Sequence, residues 1–383
     1  MADFVLAKPN EKQVWDSDFL SEYVRESSLQ AYTGKDAGSI IRVKRELQGS
    51  AGAVIRFPLI ARTRGAGVTG STSLKGNEVV MGNFSCSVRT TYRRQGHVFT
   101  KGERYRTEID LMNAAKGNLR AWAASNLLDR ILAELAAVVV KAAAETDGTP
   151  GEDSTVAWGS ATEAQKDAYL DLNTDRILFG ALDSNLLQTS PAGGATNDMS
   201  ASLATIDNTA DKLTAALILK AKRKAKTAGS GSSSFHITPY KSDMTNGREY
   251  FVLFCDSNGF RDLAQDSAIL AANRDARPRD VESNPLFQDG DMLYQGIIIR
   301  ECPELASVGA VGTGSIAVGN AFLCGQSAIA LAYSQMPTSK TDSDDYEARQ
   351  GVAVEFIDGV KKICANGVQY GAVTIFHASV NDA

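Results

Sequence analysis

Residues 51–107 constrain this chain more than any other stretch, because they form two alternating limbs with nothing of their own to lie on. The outgoing limb is Val54-Ile55-Arg56-Phe57-Pro58-Leu59-Ile60-Ala61-Arg62, with Ile55, Phe57, Leu59 and Ala61 on one face. The returning limb, Phe84-Ser85-Cys86-Ser87-Val88-Arg89-Thr90-Thr91-Tyr92-Arg93, alternates too. Period-two patterning marks strands with one buried face. A Gly-rich turn region, Gly65 to Gly76, lies between them. An isolated two-stranded ribbon is at best marginally stable in water, so something must cover its apolar face. The arm holds ten Lys or Arg against two acids, Glu78 and Glu103, a net of +8. The whole chain carries −5, which leaves −13 for the remainder. A basic arm on an acidic body predicts an element that docks onto neighbouring copies.

The next segment reads as a long helix. From Thr107 the apolar set runs Met112, Ala115, Leu119, Trp122, Leu127, Ile131, Leu135, Val138 and Ala142, mostly in steps of three or four. Thr107 and the acids Glu108 and Asp110 mark its start, and Asp147-Gly148-Thr149-Pro150 its end. About 38 residues of helix would span roughly 57 Å, far beyond the usual helix of a compact domain. That length implies an extended, plate-like subunit. Before the arm, residues 12–31 carry Val14, Trp15, Phe19, Leu20, Tyr23 and Val24 at helical spacing.

Beyond Pro150 the pattern is mixed α and β. Helices are expected over Thr162 to Leu172, Thr209 to Thr227 and Gly259 to Ala272. Strands are expected at Asp175 to Gly180, Tyr250 to Cys255, Gly296 to Arg300, Ala328 to Tyr333, Val352 to Phe356 and Val373 to Phe376. Gly229 to Ser234 and the Gly-rich Val308 to Gly319 read as loops, as does an acidic run with Asp342, Asp344, Asp345 and Glu347.

The chain's 43% hydrophobic and 22% charged content is that of a globular protein. Its most apolar stretch, Ile131 to Ala144, is interrupted by Glu134 and Lys141 and is too short to cross a membrane. The start shows no signal-peptide pattern, which predicts synthesis in the cytosol. Five separated cysteines (86, 255, 302, 324, 364) indicate neither a disulfide framework nor a zinc site. Gly65-Ala66-Gly67-Val68-Thr69-Gly70 fits G-x-G-x-x-G, but no helix pattern follows and no acid lies about 20 residues on for a ribose, so a hairpin tip is expected. Lys220 to Lys226 reads either as a solvated helix end or as a phosphate contact. Asp256-Ser257-Asn258-Gly259 reads as a capped strand-to-helix turn, since calcium-loop spacing fails. The three histidines are scattered, and no nucleophile motif accompanies them. No catalytic residue, metal or cofactor is expected.

The order of elements resembles the major capsid proteins of tailed bacteriophages with the Hong Kong 97 fold, and more narrowly the family typified by phage N4. The resemblance rests on Ile55-Arg56-Phe57-Pro58-Leu59, Gly67-Val68-Thr69-Gly70, Leu74-Lys75-Gly76-Asn77-Glu78, Tyr250-Phe251-Val252-Leu253-Phe254, Phe260-Arg261-Asp262-Leu263, Asn284-Pro285-Leu286-Phe287, Gly296 to Glu301, and Gly351 to Lys362. It implies an α+β Hong Kong 97-like capsid fold. Its parts would be an N-terminal arm (1–39), an extended β-hairpin loop (40–100), a peripheral domain with the spine helix (101–159), an axial domain (160–340) and a return to the peripheral domain (341–383). It implies assembly of hexamers and pentamers into an icosahedral virion shell around double-stranded DNA, with portal and scaffolding or decoration proteins as partners. Contacts between copies are expected at Trp15, Ile55, Phe57, Leu59, Arg62, Arg64, Leu74, Lys75, Arg89, Arg93 and Arg94. Lys75 and Asn77 supply crosslinking side-chain types, but no crosslink is expected. A tail or scaffold-like structural protein and a dinucleotide-binding enzyme are the alternatives.

Overall fold

The two alternating limbs pair as their periodicity requires, but their apolar face is covered by the chain itself. The computed structural model describes residues 29–46, 52–61, 67–78, 82–108, 110–143, 151–229, 235–243, 248–275, 292–346 and 348–382. The expected helix over 12–31, with Trp15, falls almost wholly outside the described residues. Arg62, Arg64 and Asn284 to Phe287 lie outside them entirely.

The chain begins with β1 (Thr33–Gly34) and β2 (Ile41–Lys44). The ribbon follows as β3 (Val54–Ile60) and β4 (Asn83–Arg89), antiparallel, with Phe57 opposite Cys86. Pro58 is tolerated because β3 pairs with β4 alone among the described strands. Residues 91–100 then form β5 (Thr91–Thr100), which pairs with a late strand rather than prolonging the ribbon.

The spine is shorter than its sequence pattern predicts. A one-and-a-half-turn helix, α1 (Lys101–Arg106), is closed by a Thr100/Glu103 capping box. The long helix α2 spans Leu111–Ala136, with Asp110 rather than Thr107 as its cap. Its 26 residues amount to roughly 39 Å. Val138 and Ala142 are therefore not helical. Three consecutive β-branched residues favour a strand, and Val138–Val140 forms β6, paired with β7 (Ser154–Val156). Gly117 leaves the helix unbroken.

The remaining described helices are α3 (Glu163–Leu172), α4 (Met199–Ala204), α5 (Ala215–Thr227), α6 (Ser257–Gln265) and α7 (Ser267–Asp275). The single helix expected from Gly259 to Ala272 is split at Asp266, whose carboxylate accepts the N–H groups of Ala215 and Ala268. The helix expected from Thr209 starts only after its Thr214 cap.

The other strands are β8 (Ile177–Phe179), β9 (Lys241–Asp243), β10 (Arg248–Cys255), β11 (Met292–Tyr294), β12 (Ile297–Glu301), β13 (Val318–Cys324), β14 (Ile329–Asp344), β15 (Arg349–Lys362), β16 (Cys364–Ala365), β17 (Val368–Gln369) and β18 (Ala372–Ala378). One sheet has the order β1-β2-β14-β15-β5. The other runs β11-β12-β10-β13-β18-β8, with β9 on β10. The acidic run expected as a loop is instead the far end of a long β14–β15 hairpin, Asp344 pairing with Arg349. Segment 341–383 divides between the two sheets, β15 in the first and β18 in the second.

The core follows from these layers. Leu119, Leu127, Ile131 and Leu135 of α2 pack on Ile329, Leu331, Val352, Val354 and Phe356 of the first sheet. Leu217, Ile218 and Ala221 of α5 lie against Phe251, Leu253, Val373 and Ile375 of the second. Between them lies a third cluster, and the ribbon belongs to it: Ile55, Phe57, Leu59, Cys86 and Val88 join Val138, Val139, Ala330, Ala332, Ile363 and Cys364.

Candidate functional site

The base of the hairpin is anchored to its own subunit by packing, charge and close backbone approach. Phe57 is 0% exposed, and Ile55 and Leu59 are almost as deeply covered. These three residues were expected at contacts between copies; in the subunit they are interior, because β14 to β16 present an apolar surface to them. Lys44 and Arg42 lie over the Phe57 ring, at 5.2 and 5.7 Å from its centroid. Lys44 Nζ also donates to the Arg56 carbonyl at 2.8 Å. Arg56 pairs with Glu152 at 3.2 Å, and Ser87 Oγ donates to the same carboxylate at 2.6 Å. Lys361 Nζ straps β4 by donating to Ser87 O at 3.1 Å and to Asp153 O at 2.6 Å. Gly359 permits the contact: a Cβ there would lie 2.3 Å from Arg89 O.

Three surfaces remain open. The first is the hairpin tip, 67–78, folded by local bonds from Asn77 N to Leu74 O (2.9 Å) and from Gly76 N to Glu78 Oε2 (2.7 Å). Gly67, Gly70 and Gly76 all have φ near +70° to +92°, the region glycine enters without steric cost. Leu74 stands 64% exposed there, beside exposed Lys75. The second is the outer edge of β5, paired on one side only. It carries exposed Tyr92, Arg94 and Val98, with exposed Arg89 just before it. Tyr92 donates to Glu355 at 2.8 Å and lies under Arg94, 5.9 Å from its guanidinium carbon. Arg93 is engaged internally: its Nε is 3.6 Å from Asp358, which also receives a bond from Arg130 Nη1 at 2.8 Å. Burial beside Arg130 pushes the Arg93 guanidinium down, and Asp358 opposes that.

The third surface was missed by sequence reasoning. The end of the β14–β15 hairpin presents Asp342, Asp344 and Asp345, all exposed, and Tyr346, whose exposure is 103%. Asp345 and Tyr346 both have positive φ, 52° and 50°. The acids were visible in the sequence, but a run of Asp and Ser reads as a loop and gives no hint that two 14- to 16-residue strands carry it outward.

The remaining motifs are accounted for structurally. Gly67 to Gly70 lies outside any helix or strand, and the next described helix starts only at Lys101, so the described residues form no strand–turn–helix cradle for a dinucleotide. Four lysines of the basic run on α5 are engaged within the subunit: Lys220 pairs with Asp183 at 2.9 Å, Lys224 donates to Thr174 O at 2.9 Å, Lys222 donates to Gln295 O and Lys226 pairs with Glu249, while Arg223 is exposed. Asp256 caps α6 by accepting from Gly259 N at 3.1 Å. Its carboxylate also takes the Ser379 hydroxyl and stands 3.2 Å from His377 Nε2. Burial raises the Asp256 carboxyl, but the nearby His377 and the bonds from Ser379 and Gly259 outweigh it and hold it below the usual range. The carboxylate sits between Ser379 and His377, so the serine hydroxyl faces the carboxylate and not the imidazole, and the order differs from a hydrolytic triad. Among the described residues no group of three or more His, Cys, Asp or Glu could hold a metal.

The described residues thus present an anchored hairpin with an exposed tip, a sheet edge paired on one side and a projecting acidic hairpin. The chain belongs to the phage capsid protein family, whose profile matches residues 5–381. The capsid asymmetric unit of cyanophage Pam1 is similar over 100% of both chains, at 39% identity and a TM-score of 0.81. The capsid of Ralstonia phage GP4 is similar over 93% of this chain and 92% of its own, at 20% identity and a TM-score of 0.69. The acid-stable capsid of Helicobacter pylori phage KHP30 aligns over 92% of each chain, at 15% identity and a TM-score of 0.61. Among curated proteins, none matches. The fold is that of phage capsids, α+β and Hong Kong 97-like, and the function is that of the major capsid protein of a tailed phage, a component of the virion shell.

Proposed function

We propose that copies of this protein join as hexamers and pentamers by laying the basic hairpin of one copy on the acidic β14–β15 end of the next. The charge division supports this reading: the hairpin, residues 54–89, holds Arg56, Arg62, Arg64, Lys75 and Arg89 against Glu78, a net of +4, and the β14–β15 end presents outward acids at Asp342, Asp344 and Asp345. Leu74, Lys75, Arg89 and Arg94 are the described residues placed at such a contact, and Trp15, Arg62 and Arg64 are its further members. Ile55, Phe57 and Leu59 set the arm's direction from inside. Opposite charges steer encounter and fix register more than they add affinity. The apolar share comes from Leu74, Val98 and Tyr346; at ~25 cal/mol per Å², a few hundred Å² gives several kcal/mol before ordering costs. Weak contacts repeated around a ring make a stable shell whose assembly still corrects errors.

In the same reading the first sheet and α2 form the peripheral domain, and the second sheet with α5 to α7 forms the axial domain. The subunit is made in the host cytoplasm and catalyses no reaction. It surrounds double-stranded DNA through contacts that do not read sequence, and it meets portal and scaffolding or decoration proteins. The test is charge reversal. Asp342→Lys with Asp344→Lys and Asp345→Lys is expected to leave the subunit's melting temperature within about 2 °C and to abolish closed particles in electron micrographs. Particles at wild-type yield would overturn the pairing.

A further inference from the structure

The basic run on α5 borders an open cleft of about 620 Å³, within the ~300–1,000 Å³ usual for small-molecule sites. Lys222 and Lys226 stand about one helical turn apart on α5, and Arg248, at the start of β10, lines the same cleft. Glu249 opposes these three cations, which leaves a net of +2. Lys226 pairs with Glu249, but Lys222 donates to a neutral acceptor, Gln295 O, and Arg248 is exposed, so pairing within the cleft cancels one charge of the three. Gly296, in the turn between β11 and β12, lets Lys222 come this close: a Cβ there would lie 3.0 Å from Lys222 Nζ and 2.7 Å from Glu249 O. Burial, then the charge of Lys226, push the Lys222 ammonium down, and Glu249 makes up only part of the difference. An anion between the two lysines would relieve their repulsion. The rest of the lining includes Tyr250, Tyr294, Leu293 and Ala272, an apolar and aromatic surface. A helix end favours cations by itself, but it does not bring a strand's arginine and two tyrosines to the same cleft.

We propose that this cleft binds a nucleotide, its phosphate held by Lys222, Lys226 and Arg248 and its base lying against the tyrosines. A phosphate monoester carries about −1.5 to −2 at pH 7, which matches the net charge of the lining. Arginine meets two phosphate oxygens with its planar fork, and lysine acts as a point charge beside it. Aromatic side chains take a nucleobase by stacking, whatever its identity. A free nucleotide and the backbone of a DNA strand share this phosphate chemistry. The proposal does not depend on how copies of the subunit assemble.

The experiment is isothermal titration calorimetry of the purified full-length protein with deoxyadenosine monophosphate. Saturable binding at a single site is expected, weakening as salt is raised. Arg248→Gln, at an exposed position, should weaken it about tenfold, and Lys222→Gln at least as much. Glu249→Gln should tighten it, an effect that a damaged fold does not produce. Deoxyadenosine, which lacks the phosphate, should fail to bind. A short DNA duplex added in competition separates the two sources: displacement of the nucleotide makes the strand backbone an occupant, and retention makes the occupant a free nucleotide, and both support a phosphate site. Absence of binding to the wild-type protein would overturn the proposal. So would wild-type affinity in either Arg248→Gln or Lys222→Gln, unchanged or weaker binding in Glu249→Gln, or deoxyadenosine binding as tightly as its monophosphate.

Discussion

Tyr346 stands fully exposed at φ 50°, beside Asp345 at φ 52°, in the turn that joins β14 to β15. A left-handed aromatic residue costs about 1–2 kcal/mol relative to its relaxed conformation, a cost imposed by the turn that joins β14 to β15; under the proposed assembly its ring meets a neighbouring copy. Tyr346→Gly is expected to stabilise the isolated subunit by up to about 1 kcal/mol while reducing the yield of particles. A variant that forms particles normally would take Tyr346 out of the contact. Lys362 poses the opposite problem, a cation with no exposure to water. Its Nζ donates to Ala137 O at 2.8 Å and Gln369 Oε1 at 3.4 Å, pinning the end of α2 to the body. Burial lowers it from 10.5 to about 8, against the pull of Glu134. Between those two values the folded chain releases the proton before the unfolded chain does, so stability rises with pH across that window. The gain is about 1.4 kcal/mol per pH unit, roughly 3 kcal/mol in all. Subtracting the Lys362→Met curve from the wild-type curve isolates this rise from the ionisation of buried cysteines. A difference that stays flat from pH 8 to 10 would contradict it.

At the scale of elements, the arm and the spine make separable predictions. Phe57→Ala should cost the unassembled subunit about 3–5 kcal/mol, independent of protein concentration, because the cavity opens inside one chain. A loss seen only in assembled particles would instead place the Phe57 ring on a neighbour. Gly117 is exposed within α2, with nothing within 4 Å of where a Cβ would stand. Gly117→Ala should therefore add about 0.5–1 kcal/mol, read by urea unfolding; destabilisation would mean a contact the isolated subunit lacks. The limbs of the arm were legible because alternation is a local signal, and the buried stripe of α2 was legible through Ala115, Leu119, Leu127, Ile131 and Leu135. The end of the helix was not. Val138 and Ala142 continue a 3.6-residue stripe that masks the local β-branched run Val138–Val140, and the pairing of that run with Ser154–Val156 decides for strand.

Across the whole molecule, the sequence pattern identified two apolar faces in need of cover without showing what lay on them. The covering of Ile55, Phe57 and Leu59 depends on partners such as Ala330, Ile363 and Cys364, some 300 residues away, and no local periodicity encodes such distance. The inference from a bare ribbon to neighbouring copies was therefore too strong at the arm's base, where one chain suffices. The tip, the β5 edge and the acidic hairpin are left open by the subunit, and contact there is the assembly proposed above. Each was half visible: charge in the sequence, reach only in the fold. The most direct test is an electron cryomicroscopy reconstruction of particles formed by this protein, fine enough to trace side chains. The account predicts rings of five and six copies in which residues 67–78 of each copy lie on residues 342–346 of the next, with Phe57 enclosed by its own chain. A shell in which both of those surfaces face solvent would contradict it.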